Sequence, residues 1–88
     1  MDKRLRLIQQ IKVVLSHLER EFGTKLTSGV LELIYKRYQN GLVILQQNDD
    51  VAKIHIVGGV RAYLDSCSDY DNSLLEEMHK AEKLYKKL

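Results

Sequence analysis

The chain has 88 residues, 44% of them hydrophobic and 30% charged, which predicts one domain over residues 1–88 with a single small core. Its formal net charge of +2 does not demand a polyanionic partner, and its longest apolar run, Leu42–Leu45, falls far short of the ~20 residues that span a bilayer. Cys67 is the single cysteine, which excludes an intrachain disulfide. With no secretory leader pattern at the N-terminus, we expect a cytoplasmic protein.

The first predicted helix covers residues 2–22, where a carboxylate at Asp2 suits the free backbone N–H groups of the first turn. Gly23 predicts a left-handed stop. The apolar residues recur with helical spacing at Leu5, Ile8, Ile11, Leu15, Leu18 and Phe22, with Leu7 and Val14 beside them.

The second predicted helix covers residues 28–39, after an N-cap at Thr27 or Ser28, and Asn40-Gly41 reads as its stop. Periodicity alone leaves Leu42–Leu45 open between a strand and a buried helical turn. A lone strand would have no partner, so we favour a connecting segment that packs across the core.

The third predicted helix begins at Asp49 or Asp50 and ends near Ser66, with Gly58-Gly59 either bending it or allowing a close helix crossing. A strand over residues 54–57 is the weaker alternative, because it would be isolated. After a polar turn at residues 68–72, Ser73 and Glu76 match a capping box that opens the fourth helix. Its apolar seam is Leu74, Met78, Ala81, Tyr85 and Leu88. Four amphipathic helices with short links predict an all-α, antiparallel up-and-down four-helix bundle.

No residue pattern indicates catalysis or metal binding. Cys67 lies in phase with the apolar stripe of the third helix and has no hydrolase signature around it, so we expect a core residue. His17, His55 and His79 lack the spacing of metal ligands, and the acidic run from Asp69 lacks the glycine and glutamate of an EF-hand loop. We therefore expect no catalytic residue, no metal and no cofactor.

Two further functions are weighed and disfavoured. A helix–turn–helix over residues 10–40 would place Lys36 and Arg37 on the recognition helix, but no basic patch with interleaved aromatic residues supports nucleic-acid binding. A mutase-like helical enzyme would need arginines aimed into the bundle, and only Arg61 lies on an otherwise apolar stretch. A buried polar pocket at Arg61 would favour that enzyme.

Three segments resemble the immunity proteins of pediocin-like (class IIa) bacteriocins, of the enterocin A immunity type. They are Leu31–Gly41 (LELIYKRYQNG), Val60–Leu64 (VRAYL) and Ser73–Met78 (SLLEEM), within a helix plan over residues 5–86. The stretch from Leu42 to Gly59 departs from that family's plain third helix.

The resemblance implies a cytoplasmic, non-enzymatic protein that protects the producer cell from a pore-forming peptide. Its implied partner is the membrane receptor complex of the bacteriocin, the mannose phosphotransferase permease, with peripheral contact at the inner face of the membrane. The family's specificity is associated with its C-terminal part, which implies partner contacts at Lys80, Lys83, Tyr85, Lys86 and Lys87. The alternative is a small helical regulatory or adaptor module that binds a soluble protein partner.

Overall fold

A computed structural model describes residues 3–23, 29–66 and 73–88 of the chain. In these ranges the protein is all-helical, with four α-helices and no strand. Helix α1 is Lys3–Phe22, α2 is Gly29–Gln46, α3 is Gly59–Ser66 and α4 is Ser73–Lys86, with a 3₁₀ turn at Val51–Lys53 between α2 and α3. The predicted caps at Asp2, Thr27 and Ser28, the polar turn at residues 68–72 and Cys67 lie outside the described residues.

Helix α1 packs against both α2 and α4, and α3 contacts α2 and α4. The side chain of Gln10 donates to the backbone oxygen of Glu77, and Lys3 Nζ donates to the backbone oxygen of Lys87. Because the sequence position rises in α1 as it falls in α4, these two helices run antiparallel.

One hydrophobic cluster joins all of these elements. Its wholly or almost wholly buried members are Leu7, Ile11, Val14, Leu18, Ile34, Tyr38, Ile44, Leu45, Ile54, Ile56, Val60, Tyr63, Leu74, Leu75, Met78 and Ala81. Burial of apolar side chains contributes about 1.5–3 kcal/mol for each large residue, so this cluster is the main stabilising term of the fold. On α1 the buried line is Leu7, Ile11, Val14 and Leu18, whereas Leu5 is exposed.

The prediction that α2 stops at Asn40-Gly41 is wrong. Helix α2 continues to Gln46 and ends beside Asn48, which adopts the left-handed conformation at φ +59°. Gly41 is buried, and a Cβ on it would lie 3.3 Å from Ile54 Cγ2. The missing side chain therefore serves a close approach of the next segment, while Ile44 supplies core contacts that keep the helix going.

The predicted start of the third helix at Asp49 or Asp50 is also wrong. Asp50 instead caps the 3₁₀ turn, where its carboxylate accepts from the backbone N–H of Ala52 at 2.9 Å. Residues 54–56 are not helical, since Ile54 and Ile56 are buried and His55 between them is exposed. Gly58 has φ +95°, a conformation that favours glycine, and α3 begins only at the following residue.

The predicted helix ends at Gly23 and Ser73 are confirmed. Gly23 has φ +42° immediately after α1, and α4 begins at Ser73 with Glu76 in its first turn. Leu74, Met78 and Ala81 of the predicted seam are buried, Tyr85 is half-buried and Leu88 is exposed.

Candidate functional site

The lysines of the predicted C-terminal site lie in solvent on α4 and the residue after it. Lys80, Lys83, Lys86 and Lys87 are all exposed. Lys80 Nζ lies 3.2 Å from Glu77 Oε1, a short-range ion pair on the same helix. Lys80, Lys83 and Lys87 share one helical face by their spacing, which points away from the core-facing line that contains Tyr85.

Tyr85, the remaining predicted contact, has a structural role in the described contacts. It is half-buried, and its hydroxyl donates to the backbone oxygen of Val51 at 3.1 Å. This bond ties the end of α4 to the 3₁₀ turn between α2 and α3. The rest of the Tyr85 side chain helps to line a groove on the surface.

This groove, called the α2 groove below, is an open depression of about 780 Å³. Its lining residues are Lys36, Arg37 and Asn40 from α2, Ala52, Ile54, His55 and Val57 from the connecting segment, and Tyr85 from α4. None of these described lining residues is acidic. Periodicity within single helices could not predict that α2, the connecting segment and α4 meet at this groove.

The wall of the groove formed by residues 51–60 is irregular, yet α4 holds it at both ends. Tyr85 holds the Val51 end, and the Glu82 carboxylate holds the other. Glu82 accepts from the backbone N–H of Gly58 at 3.3 Å and from that of Val60 at 3.1 Å. Since these N–H groups lie at the start of α3, the carboxylate also meets the positive end of that helix. Between the two ends, Ile54 and Ile56 are inserted into the core.

An exposed apolar and basic face of α2 runs along the groove. Leu33, Lys36, Asn40 and Val43 are spaced by three, four and three residues, so they form one line on the helix surface. Leu33 and Val43 lie at the two ends of this line, outside the lining residues, and Val57 lies on the opposite wall of the groove. All three side chains are between 43% and 46% exposed. Isolated exposed hydrophobic residues need no explanation, but several beside one concave surface are typical of an interaction site.

The charges of the groove are unbalanced. Arg37 is half-buried and forms no hydrogen bond or ion pair within the part of the chain that the structure describes. Lys36 Nζ lies 2.9 Å from Glu32 Oε1, an exposed pair on the same helix that contributes little. Arg37 is therefore a cation in the groove with no ion-pair partner among the described residues.

Sequence reasoning considered Lys36 and Arg37 only as parts of a recognition helix. It missed the face from Leu33 to Val43 because it ended the second helix at residue 39, with Asn40-Gly41 as the stop. Extending the helical period across Asn40-Gly41 would have placed Val43 in line with Leu33. Nothing local to Glu82 indicates that its carboxylate reaches the start of α3.

The other candidate residues do not converge on a site. The Arg61 side chain is 89% exposed, and its Nε lies 4.0 Å from Asp65 Oδ2. No buried polar pocket therefore forms around Arg61. His17 lies 3.9 Å from Glu21 on the surface of α1. Within the described ranges, no group of three histidine, cysteine, aspartate or glutamate residues could hold a metal ion. No helix in these ranges combines the length and the apolar character needed to cross a bilayer.

Comparison with known proteins corrects the resemblance stated above. A family model described as "YeeD uncharacterised protein" matches residues 2–88. An uncharacterised protein YeeD of Bacillus subtilis (strain 168) is 36% identical over 94 residues, covering 98% of this chain and 92% of that protein. No solved structure matches. The identification with pediocin-like immunity proteins is therefore wrong: its three segments are amphipathic helical patterns, which unrelated helical proteins share because each buries one face. The chain belongs to the YeeD family.

Proposed function

We propose that this protein is a non-enzymatic adaptor or regulatory module that binds a protein partner in the α2 groove. The observation that carries the proposal is the half-buried Arg37, which pairs with no described residue, in a groove whose lining includes the exposed hydrophobic residue Val57. A segment that presents a carboxylate to Arg37 and an apolar side chain to Val57 would complement both features. Arginine suits this role because its planar guanidinium can bind a carboxylate through two hydrogen bonds.

Pre-organisation of the groove supports binding. Tyr85 and Glu82 hold its irregular wall through three side-chain-to-backbone hydrogen bonds of 3.1–3.3 Å. The opposite wall is a regular helix with its buried face in the core. A surface that is already in its binding conformation loses less entropy when a partner docks.

The chemistry of the lining favours binding over catalysis. His55 is the one histidine among the described lining residues, and no described carboxylate or thiol accompanies it in the groove. General acid–base or nucleophilic chemistry requires such groups within hydrogen-bond reach of each other. We accordingly propose that the protein is not an enzyme.

The proposal includes a cytoplasmic location and an antiparallel up-and-down course of the four helices. The antiparallel contact of α1 with α4 supports the second point, as does the hydrogen bond from Tyr35 near the start of α2 to Glu19 near the end of α1. Bacteriocin immunity and the mannose phosphotransferase permease as partner rested on the resemblance and lose their support with it. They remain untested predictions.

Site-specific crosslinking tests the proposal. A photo-crosslinking amino acid at Val57, in the groove, is compared with the same group at Val13, an exposed residue on α1. We expect a discrete adduct from Val57 alone in the cells that produce the protein. Mass spectrometry then identifies the adduct, and the purified partner is titrated against Arg37→Glu and, as a matched charge reversal on α1, Lys12→Glu.

The expected result is a loss of affinity of at least about tenfold for Arg37→Glu, as expected when a buried charge pair is broken. Lys12→Glu should bind as the unmodified protein does. Indistinguishable adducts at Val57 and Val13, or equal affinities of the two variants, would refute the α2 groove as the partner site.

A further inference from the structure

Both ends of the chain are rich in cations, with Lys3, Arg4 and Arg6 near the start and Lys83, Lys86 and Lys87 near the finish. The fold brings these two basic segments together at one end of the molecule. Lys3 Nζ lies 3.3 Å from the backbone oxygen of Lys87, although the two residues are 84 positions apart. The antiparallel course of α1 and α4 places the other cations of both segments within about two helical turns of this contact. We call the resulting surface the basic end; its residues are Lys3, Arg4, Arg6, Lys83, Lys86 and Lys87.

The described carboxylates beside the basic end have partners of their own. Glu82, which precedes Lys83 in α4, accepts from the backbone N–H groups of Gly58 and Val60. Asp49 lies 3.4 Å from Lys53 Nζ, so it has its own cation. Its pKa is lowered, first by the backbone N–H of Asp50 and then by Lys53, which keeps it in a paired anionic state. The Asp50 carboxylate caps the 3₁₀ turn. The Arg4 guanidinium donates to the backbone oxygen of Asp49 at 3.4 Å.

Two large apolar side chains stand exposed among these cations. Leu5 is 48% exposed and Leu88 is 43% exposed. Leu5 lies between Arg4 and Arg6, and Leu88 follows Lys87. Cations next to exposed leucines match the interface of an anionic bilayer, where lysine and arginine meet phosphates and the leucines enter the headgroup region.

We propose that the basic end docks this protein on an anionic lipid surface as a peripheral contact. The lysines and arginines supply long-range attraction to the negative leaflet, and Leu5 with Leu88 supplies short-range burial. The α2 groove is lined by different residues, so this contact is separate from the proposed partner site. The exposed apolar pair favours lipid over nucleic acid, whose phosphate backbone offers no apolar phase to receive leucine.

Vesicle flotation with the full chain tests the proposal. Phosphatidylcholine vesicles with and without phosphatidylglycerol are the probes, at low and at high salt. We expect the protein to float with the phosphatidylglycerol vesicles at low salt only, because salt screens exposed charges. Replacing the exposed lysines should lower the partition coefficient about fivefold for each one removed; the test variant carries Lys83→Gln, Lys86→Gln and Lys87→Gln.

Two further variants separate a defined surface from diffuse charge. A matched variant loses three exposed cations outside the basic end, Lys12→Gln, Arg20→Gln and Arg61→Gln, and should float as the unmodified protein does. The double variant Leu5→Ser and Leu88→Ser keeps its charge and should partition severalfold more weakly. Circular dichroism checks that all variants keep their helices.

Three outcomes would overturn the proposal. One is the absence of flotation with anionic vesicles at low salt. Another is equal loss in the two triple variants, which would indicate non-specific charge attraction. The third is binding to duplex DNA of equal strength with no effect of the leucine replacements, which would indicate a general polyanion surface. None of these outcomes bears on crosslinking at the α2 groove.

Discussion

Replacing Glu82 with alanine tests how α4 holds the wall of the α2 groove. The carboxylate accepts from the N–H groups of Gly58 and Val60 at 3.3 and 3.1 Å. Gly58 is exposed, so water can replace the carboxylate as the acceptor of its N–H. Val60 is buried, so the loss of the hydrogen bond to its N–H costs more free energy. A hydrogen bond to a charged group contributes about 1.5–3 kcal/mol, and a carboxylate at a helix N-terminus adds about 0.3–1 kcal/mol. We expect Glu82→Ala to lower the free energy of unfolding by about 2–3 kcal/mol.

Urea denaturation and native-state hydrogen exchange measure this effect. A loss of that size corresponds to a fall in Tm of about 10–20 °C for a domain of this length. Exchange should accelerate first at the amides of residues 54–60, because the wall opens before the rest of the fold. Glu82→Gln should lower the free energy of unfolding by less than Glu82→Ala does, since glutamine keeps one acceptor oxygen. Lys83→Ala, an exposed neighbour on α4, is the matched control. A free energy of unfolding within ~0.5 kcal/mol of the unmodified protein, with unchanged exchange at residues 54–60, would refute the reasoning.

Three other substitutions test the packing and the buried polar groups. Gly41→Val should lower the free energy of unfolding by about 2–3 kcal/mol, because its side chain would enter the space of the connecting segment, while Gln39→Val on the exposed face of α2 should cost under ~1 kcal/mol. Tyr38→Phe should not destabilise the protein at neutral pH, because the buried Tyr38 hydroxyl has no hydrogen-bond partner among the described residues. Burial, and then the charge of Glu82, raise the pKa of Tyr38, so stability should fall above about pH 10 as the unfolded phenol ionises, and Tyr38→Phe should reduce that fall. Gln10→Ala should lower the free energy of unfolding by about 1–2 kcal/mol at neutral pH, because Gln10 Nε2 donates at 2.8 Å to both the backbone oxygen and the carboxylate of Glu77.

Urea titrations at several pH values decide these three cases. The Gln10 bond, with Lys80 adding to it, lowers the pKa of Glu77, although partial burial opposes the shift. The stabilisation from the Gln10–Glu77 hydrogen bond is therefore present at neutral pH and is lost as the pH falls through the folded-state pKa of Glu77. On acidification, the free energy of unfolding of Gln10→Ala should therefore fall by less than that of the unmodified protein. An equal fall in the free energy of unfolding on acidification for Gln10→Ala and the unmodified protein would contradict this account. A neutral-pH loss of more than ~1 kcal/mol for Tyr38→Phe would show that its hydroxyl has a partner, and equal costs at Gly41 and Gln39 would show that no close approach occurs.

The sequence was sufficient where one helix could be treated alone. The helical period of α1, the left-handed stop at Gly23 and the start of α4 at Ser73 depend on contacts within a few residues, and all three are confirmed. The all-helical class follows from the same periodicity. The resemblance to a family failed for a related reason, since amphipathic patterns report a buried face and carry little information about descent.

Sequence-based prediction was wrong where contacts with residues distant in the chain determine the local structure. Asn40-Gly41 has the local chemistry of a helix stop, yet Gly41 serves the approach of Ile54 and Ile56 from the next segment. Asp50 has the chemistry of an α-helix cap, yet burial of those two isoleucines requires alternation rather than a helical turn.

Composition and periodicity by themselves determined that this protein is helical, that most of its core is aliphatic and that lysine and arginine are concentrated near both ends of the chain. Only the tertiary structure decided where α2 ends, that Arg37 lies in a groove whose described lining contains no acidic residue, and that Lys3 contacts Lys87. The physical reason is the range of the interactions: helix periodicity and capping act over three or four residues. The groove and the basic end depend on contacts between segments that only the packed core brings together.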